Sequence, residues 1–182
     1  MYDKLVGSSL TPVTYLFLNE GGYVVDQGGP TNFGITIPVL ADYCKVDPST
    51  LSAENIKAIT APYAEALYDA EFWNRFRINL IADPNIATCI FDTAVNRGPG
   101  TAIKYAQKVC TLLGHALVVD GSLGPATAGV INACDRATFI KYYEAMEMAG
   151  YEAIIASNPA KYEVDRDGWE NRARKLLTLA VA

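Results

Sequence analysis

The sequence predicts a mainly α fold in a single compact domain, residues 1–182, with a small β-hairpin after the first helix. Three observations predict it. Apolar residues recur at helical spacing along most of the chain, glycine and proline fall where helices would stop and start, and no repeat, linker or low-complexity run divides the sequence. A chain of this size buries roughly 70% of its unfolded surface in one core. Hydrophobic residues at 51% and charged residues at 19% exclude disordered and fibrous classes.

The elements follow in order. A first helix begins at Lys4, or at a Thr11 cap with Pro12 in its first turn, and runs to Leu18 or Asn19. Gly21, Gly22, Gly28, Gly29, Pro30 and Gly34 make the next stretch a loop, whose end, Phe33 to Ile37, is able to pair as a strand or hairpin. Thr36 and Pro38 open a short helix to Tyr43, Asp47-Pro-Ser-Thr is a turn, and Ser52 starts another short helix. Thr60-Ala-Pro-Tyr caps a helix that places Tyr63, Leu67 and Ala70 on one face, with Tyr68, Phe72 and Phe76 nearby. Asp83-Pro84 caps the next, with Ile86, Ile90, Ala94 and Val95 at helical spacing up to Gly98-Pro-Gly. Thr101–Leu113 is helical to Gly114, and Asp120-Gly-Ser-Leu-Gly is a turn feeding a helix that Pro125 starts. Residues 136–156 form a long helix, and a last one begins at Asp167 or Gly168, burying Trp169, Leu176 and Leu179.

Charge and the rarer residue types narrow the function. Residues 1–90 carry 5 basic and 10 acidic side chains and residues 91–182 carry 10 of each, with no basic block, so nucleic acid is not an expected partner. Cys44, Cys89, Cys110 and Cys134 are scattered and His115 is the only histidine, which argues against a zinc site; the thiols are read as reduced and mostly buried. His115, after Gly114, is either an ordinary loop histidine or a base. The longest greasy stretch near the start, Val13–Leu18, is six residues, too short for a membrane span. Lys4 imitates a signal n-region, but no small-residue cleavage site follows, so a cytoplasmic start is expected.

One segment carries chemistry. Glu20–Thr36 reads EGGYVVDQGGPTNFGIT. Glu20 falls just beyond a helix C-terminus, where the negative end of the helix dipole and the neighbours Phe17 and Tyr23 disfavour its ionisation. A carboxyl kept protonated near neutral pH is what a general acid requires. Asp26, six residues on, is expected in a solvated loop where it stays ionised, and Thr31 offers a hydroxyl able to orient water. Two carboxyls in contrasting surroundings are the minimum for glycoside hydrolysis, one protonating the leaving oxygen and the other attacking or positioning water. The same residues also read as an ordinary helix end with a glycine cap and a turn.

The EGGY…D-x-G-G-x-T-x-x-G-I-T pattern resembles the signature of glycoside hydrolase family 108, muramidases found as phage endolysins and as bacterial muralytic or secretion-activator proteins. In that resemblance Glu20 matches the catalytic Glu, Asp26 the loop Asp and Thr31 the loop Thr; the Asp26–Thr31 spacing is kept and the Glu20–Asp26 spacing is shortened. Phe72-Trp-Asn-Arg-Phe76 and Phe91-Asp-Thr-Ala-Val-Asn-Arg-Gly-Pro99 look like the family's middle region, so that residues 1–90 resemble its catalytic half. Asp120-Gly-Ser-Leu-Gly-Pro-Ala-Thr127 looks like part of a peptidoglycan-binding half, 91–182, packed into the same fold, and Gly168-Trp-Glu-Asn-Arg172 like the family's closing motif.

The resemblance implies a lysozyme-like helical domain and an N-acetylmuramidase acting on bacterial peptidoglycan. It implies no cofactor or metal, no membrane insertion, a monomer, and storage in a host cytoplasm until release to the wall, by a holin if the source is a phage. Catalytic roles fall on Glu20, Asp26 and Thr31, and Tyr23 is the favoured sugar contact. Asp92 and Asn96, four apart on one helix face, either line a cleft floor or are buried polar residues; Tyr68 and Trp73 either stack on sugars or pack in the core. A lytic transglycosylase or a non-catalytic peptidoglycan-binding protein are the alternatives.

Overall fold

In the computed structural model, the described residues are 12, 15, 16, 22–26 (for Asp26 the backbone) and 29–181. The first helix therefore lies largely outside them, although Pro12, Tyr15 and Leu16 are helical and Leu16 is fully buried. The architecture is mainly α with a small antiparallel sheet, as the sequence predicts, and it divides into two compact units, Met1–Arg75 and Phe76–Ala182.

The first unit is built on a three-stranded meander rather than the single hairpin expected. Strands β1 (Val24–Asp26), β2 (Gly29–Asn32) and β3 (Ile35–Thr36) lie in that order, with Val24 opposite Thr31, Asp26 opposite Gly29, and Asn32 opposite Ile35. The β2–β3 connection is the two-residue turn Phe33-Gly34, with φ of 52° and 75°. Positive φ at both central residues matches the twist of a hairpin but is costly for an aromatic residue. Asn32, 6% exposed, explains why the meander stays on the unit's core. Its amide donates to the carbonyls of Ile56 (3.2 Å) and Ile59 (3.1 Å), at the end of the short helix after Ser52 and just beyond it.

Three helices complete this unit: α1 (Ile37–Cys44), α2 (Ala53–Lys57) and α3 (Ala61–Tyr68). Their starts sit where the sequence places them, after Thr36, Ser52 and Thr60. The buried face of α3 is Ala64, Leu67 and Tyr68; of the three residues expected to share a face, Leu67 is buried while Tyr63 is 40% exposed and Ala70 is also exposed. The chain leaves α3 through a π-helical turn, Asp69–Asn74, which breaks the 3.6-residue period linking Ala70 to that face.

The second unit surrounds α4 (Pro84–Arg97), which is buried continuously from Ile86 to Ala94. Asp83 caps it, accepting from the amides of Asn85 (2.9 Å) and Ile86 (3.1 Å) and from Arg136 Nε (2.6 Å). Gly98, at φ 86°, ends α4 and leads into α5 (Pro99–Leu112). Then come α6 (Pro125–Asn132), the long α7 (Arg136–Ser157), the single turn α8 (Pro159–Tyr162) and α9 (Arg166–Leu176). The Asp120–Gly124 turn is held from inside by Gln107, 1% exposed. Its Nε2 donates to Asp120 Oδ1 (2.8 Å) and its Oε1 accepts from the Gly121 amide (2.9 Å). Leu176 and Leu179 are buried as expected, whereas Trp169 is half-buried.

Candidate active site

Glu20 lies outside the described residues, as does the side chain of Asp26. The backbone nevertheless corrects one expectation, because Asp26 closes strand β1 rather than sitting in an irregular loop. Pleating puts directly opposed residues on one face, alternating along each strand. Positions 24, 26, 31 and 36 thus share a face, and Asn32 and Ile35 occupy the other, which is the buried one. The register therefore brings positions 26 and 31 to the same outward side of the sheet. Thr31 is half-buried there, on the middle strand, where its backbone is paired on both edges. Tyr23, 37% exposed, immediately precedes β1, and Lys57 Nζ stands 5.9 Å from its ring centroid. An exposed aromatic face beside a cation is compatible with a sugar contact.

The other three expected substrate contacts lie elsewhere. Tyr68 is 1% exposed, so it offers no face to a sugar; its ring packs against Phe72, and its hydroxyl donates to the Phe33 carbonyl at 2.7 Å. That bond holds the strained turn joining β2 to β3. Asp92 is 2% exposed and forms a two-pronged pair with Arg172, at 3.0 Å from Nε and 3.0 Å from Nη2. Of the two readings for Asp92, the buried polar residue is the one observed, and the side chain it binds is the Arg of the Gly168-Trp-Glu-Asn-Arg172 motif. Asn96 is exposed at the mouth of a cleft of about 380 Å³ in the second unit, formed with Arg97, Thr101, Tyr151, Ile154 and Trp169. Its Oδ1 accepts from Tyr151 Oη at 2.7 Å, and the Tyr151 ring stacks on Trp169 with centroids 5.2 Å apart.

Sequence reasoning missed the second buried charge pair. Arg97 Nη1 donates to Glu147 Oε2 at 3.0 Å, and its guanidinium lies between the rings of Tyr105 (5.3 Å) and Tyr151 (4.9 Å). Burial pushes the Glu147 carboxyl up, against the opposing pull of its hydrogen-bond partners. The signal was present: Tyr143, Glu147 and Tyr151 follow one another at spacing four, so the acid stands in a buried stripe. Gly150 is the other half of that signal. A Cβ there would stand 2.1 Å from both Arg97 Nη1 and Tyr105 Oη, so the bare backbone makes room for the guanidinium.

Among the described residues, no three His, Cys, Asp or Glu side chains cluster to hold a metal ion, and no helix is long and apolar enough to cross a membrane.

Comparison with known proteins places these features. Residues 13–98 match the family model of Glycosyl hydrolase 108, a span that includes Glu20, Asp26 and Thr31 and ends where α4 ends. No curated protein matches the chain. Among solved structures, that of Brucella abortus SagA is similar at 25% identity and a TM-score of 0.74, covering 92% of this chain and 90% of SagA. The likeness extends the shared fold, mainly α with its small sheet, well beyond the matched segment. Over residues 13–98 this chain is therefore similar to the Glycosyl hydrolase 108 family, a likeness that supports reading it as a glycoside hydrolase.

Proposed function

We propose that the protein is a peptidoglycan hydrolase of the muramidase type, cleaving the β-1,4 bond between N-acetylmuramic acid and N-acetylglucosamine. The observation that carries this reading is the family match over residues 13–98, which contains the whole EGGYVVDQGGPT segment. Glu20, the acid that opens the EGGY motif, is the general acid that protonates the glycosidic oxygen as the C–O bond breaks. Asp26 takes the proton of the attacking water, and Thr31, on the same sheet face by register, orients that water. Positive charge developing on the sugar ring is met by the Asp26 carboxylate. Tyr23, exposed just before β1, supplies the sugar contact.

An endolysin role, with release from the cytoplasm to the wall of a host bacterium, fits this activity. Net charge −5 gives little attraction to an anionic wall, so binding rests on direct contacts with the glycan.

The test is mass spectrometry of purified peptidoglycan digested with the wild type and with Glu20→Gln. Reducing N-acetylmuramic ends that vanish in the variant are the expected result. Anhydro-muramic ends would replace hydrolysis by a lytic transglycosylase step, and absence of fragments beside an active control lysozyme would leave a binding protein.

A further inference from the structure

Two of the four cysteines stand against each other in the second unit. Cys110 occupies the last turn of α5 and is fully buried, while Cys134 follows the end of α6 and is half-buried. Their Sγ atoms are 3.9 Å apart although the residues are 24 positions apart in sequence. The other two thiols are unlike them. Cys89 is fully buried within α4, and Cys44 is exposed in the first unit, 3.4 Å from Tyr63 Oη. We propose that Cys110 and Cys134 are an oxidation site: a small-molecule disulfide or a thiol–disulfide oxidoreductase converts them to an intramolecular disulfide that staples the end of α5 to the end of α6.

The geometry gives the reaction an order. Two thiols at van der Waals separation must approach by about 2 Å to reach a bond of about 2.05 Å, a movement on the scale of side-chain rotation with a slight backbone shift. Cys134 is the accessible partner and attacks first. Its thiolate displaces one thiolate from the oxidant, giving a mixed disulfide. The Cys110 thiolate then attacks the Cys134 sulfur and expels the second thiolate. The protein loses two hydrogens and two electrons, and the oxidant becomes two thiols. Burial and the facing sulfur push the Cys110 thiol up to about 12, and burial also raises that of Cys134, so the link forms slowly and faster as pH rises.

The staple spans the Asp120–Gly124 turn, which Gln107 already holds in the thiol form. Nothing in the turn needs to reorganise, and the cross-link acts mainly by restricting the unfolded chain. A protein that works on the cell wall meets such oxidants outside the cytoplasm. The site itself stands apart from the hydrolase reading, and failure of one leaves the other intact.

The experiment uses the full chain, reduced and then incubated with oxidised glutathione at mildly alkaline pH. Digestion without reductant should give one linked peptide pair joining Cys110 to Cys134, two mass units lighter than the sum of the thiol peptides. The linked protein should melt several degrees higher, reversibly on reduction. Cys44→Ser should leave the link intact. Cys134→Ser, which keeps a donor for the Val130 carbonyl that Cys134 Sγ faces at 3.4 Å, should abolish it without unfolding the chain. Stable glutathione adducts on Cys134 with no linked pair would overturn the site, and a linked pair with an unchanged melting midpoint would overturn the staple.

Discussion

The two units solve the problem of polar groups in opposite ways. In the first, the strand bearing Asp26 is thin and open, with Val24 49% and Val25 66% exposed, and the sheet is anchored by one buried amide, Asn32, and one hydroxyl, Tyr68. In the second, α4 is enclosed, and its polar side chains Asp92 and Arg97 meet Arg172 and Glu147 as buried pairs. The contrast assigns a task to each. An open sheet face leaves room for a polymeric substrate, whereas buried charge pairs tie together helices far apart in sequence. Changes in the first unit should therefore register in turnover, and changes in the second in stability.

The largest expected effect breaks this contrast if it fails. Glu20→Gln should lower turnover on peptidoglycan by about 10²–10⁴-fold, the range for loss of a general acid, with an unchanged melting midpoint. Activity that survives the substitution would remove the catalytic role from the glycine-flanked acid. The counterpart in the second unit is Arg172→Ala, which strips the two-pronged donor from a carboxylate 2% exposed. Breaking such a pair costs about 3–5 kcal/mol. Urea unfolding should show that loss, while the protein remaining folded keeps its turnover.

How much of this was legible follows the same division. Helix starts were readable because their signals are local: Thr36, Ser52, Thr60, Asp83 and Asp135 each precede a helix, most with proline in the first turn. The sheet was read only at its end, since residues 24–26 alternate nothing and β1 has no buried face to give period two. The π-helical turn after Tyr68 takes Ala70 out of the period of α3, a change no periodicity argument foresees. Asp92 could not be assigned from its own helix. Its partner is 80 residues away, and spacing four to Asn96 is the same whether a face meets solvent or another helix. Sequence reading singled out the motif around Arg172 but not its bond. That needed three dimensions.

A smaller effect sharpens the stability side through pH. Burial opposes ionisation of Asp83, but the Arg136 guanidinium and the two cap amides outweigh it and hold the carboxyl below its ordinary value. A depressed carboxyl contributes stability that is present above the unfolded value, about 3.8, and is lost as pH falls through the folded one. Asp83→Ala should cost about 1–2 kcal/mol at pH 7 by loss of the cap. The difference from wild type should shrink steadily below pH of about 4. A gap independent of pH would mean that the cap acts through shape alone.

The smallest expected effect tests whether the first unit's open sheet depends on its anchors. Tyr68→Phe removes only the hydroxyl that donates to the Phe33 carbonyl, leaving the ring's packing on Phe72 in place. The loss of one such bond costs about 1 kcal/mol. Phe33 sits at φ 52°, where an aromatic residue is disfavoured, so the freed turn has a reason to relax. Thr31 lies two residues upstream on the same strand, and relaxation should move it relative to position 26. The prediction is therefore a drop in kcat larger than the change in KM, and larger than a loss of about 1 kcal/mol in global stability would produce at a temperature where the variant is folded. Equal kcat in the two proteins would show that β2 holds its register through Asn32 alone, and that the buried tyrosine serves packing only.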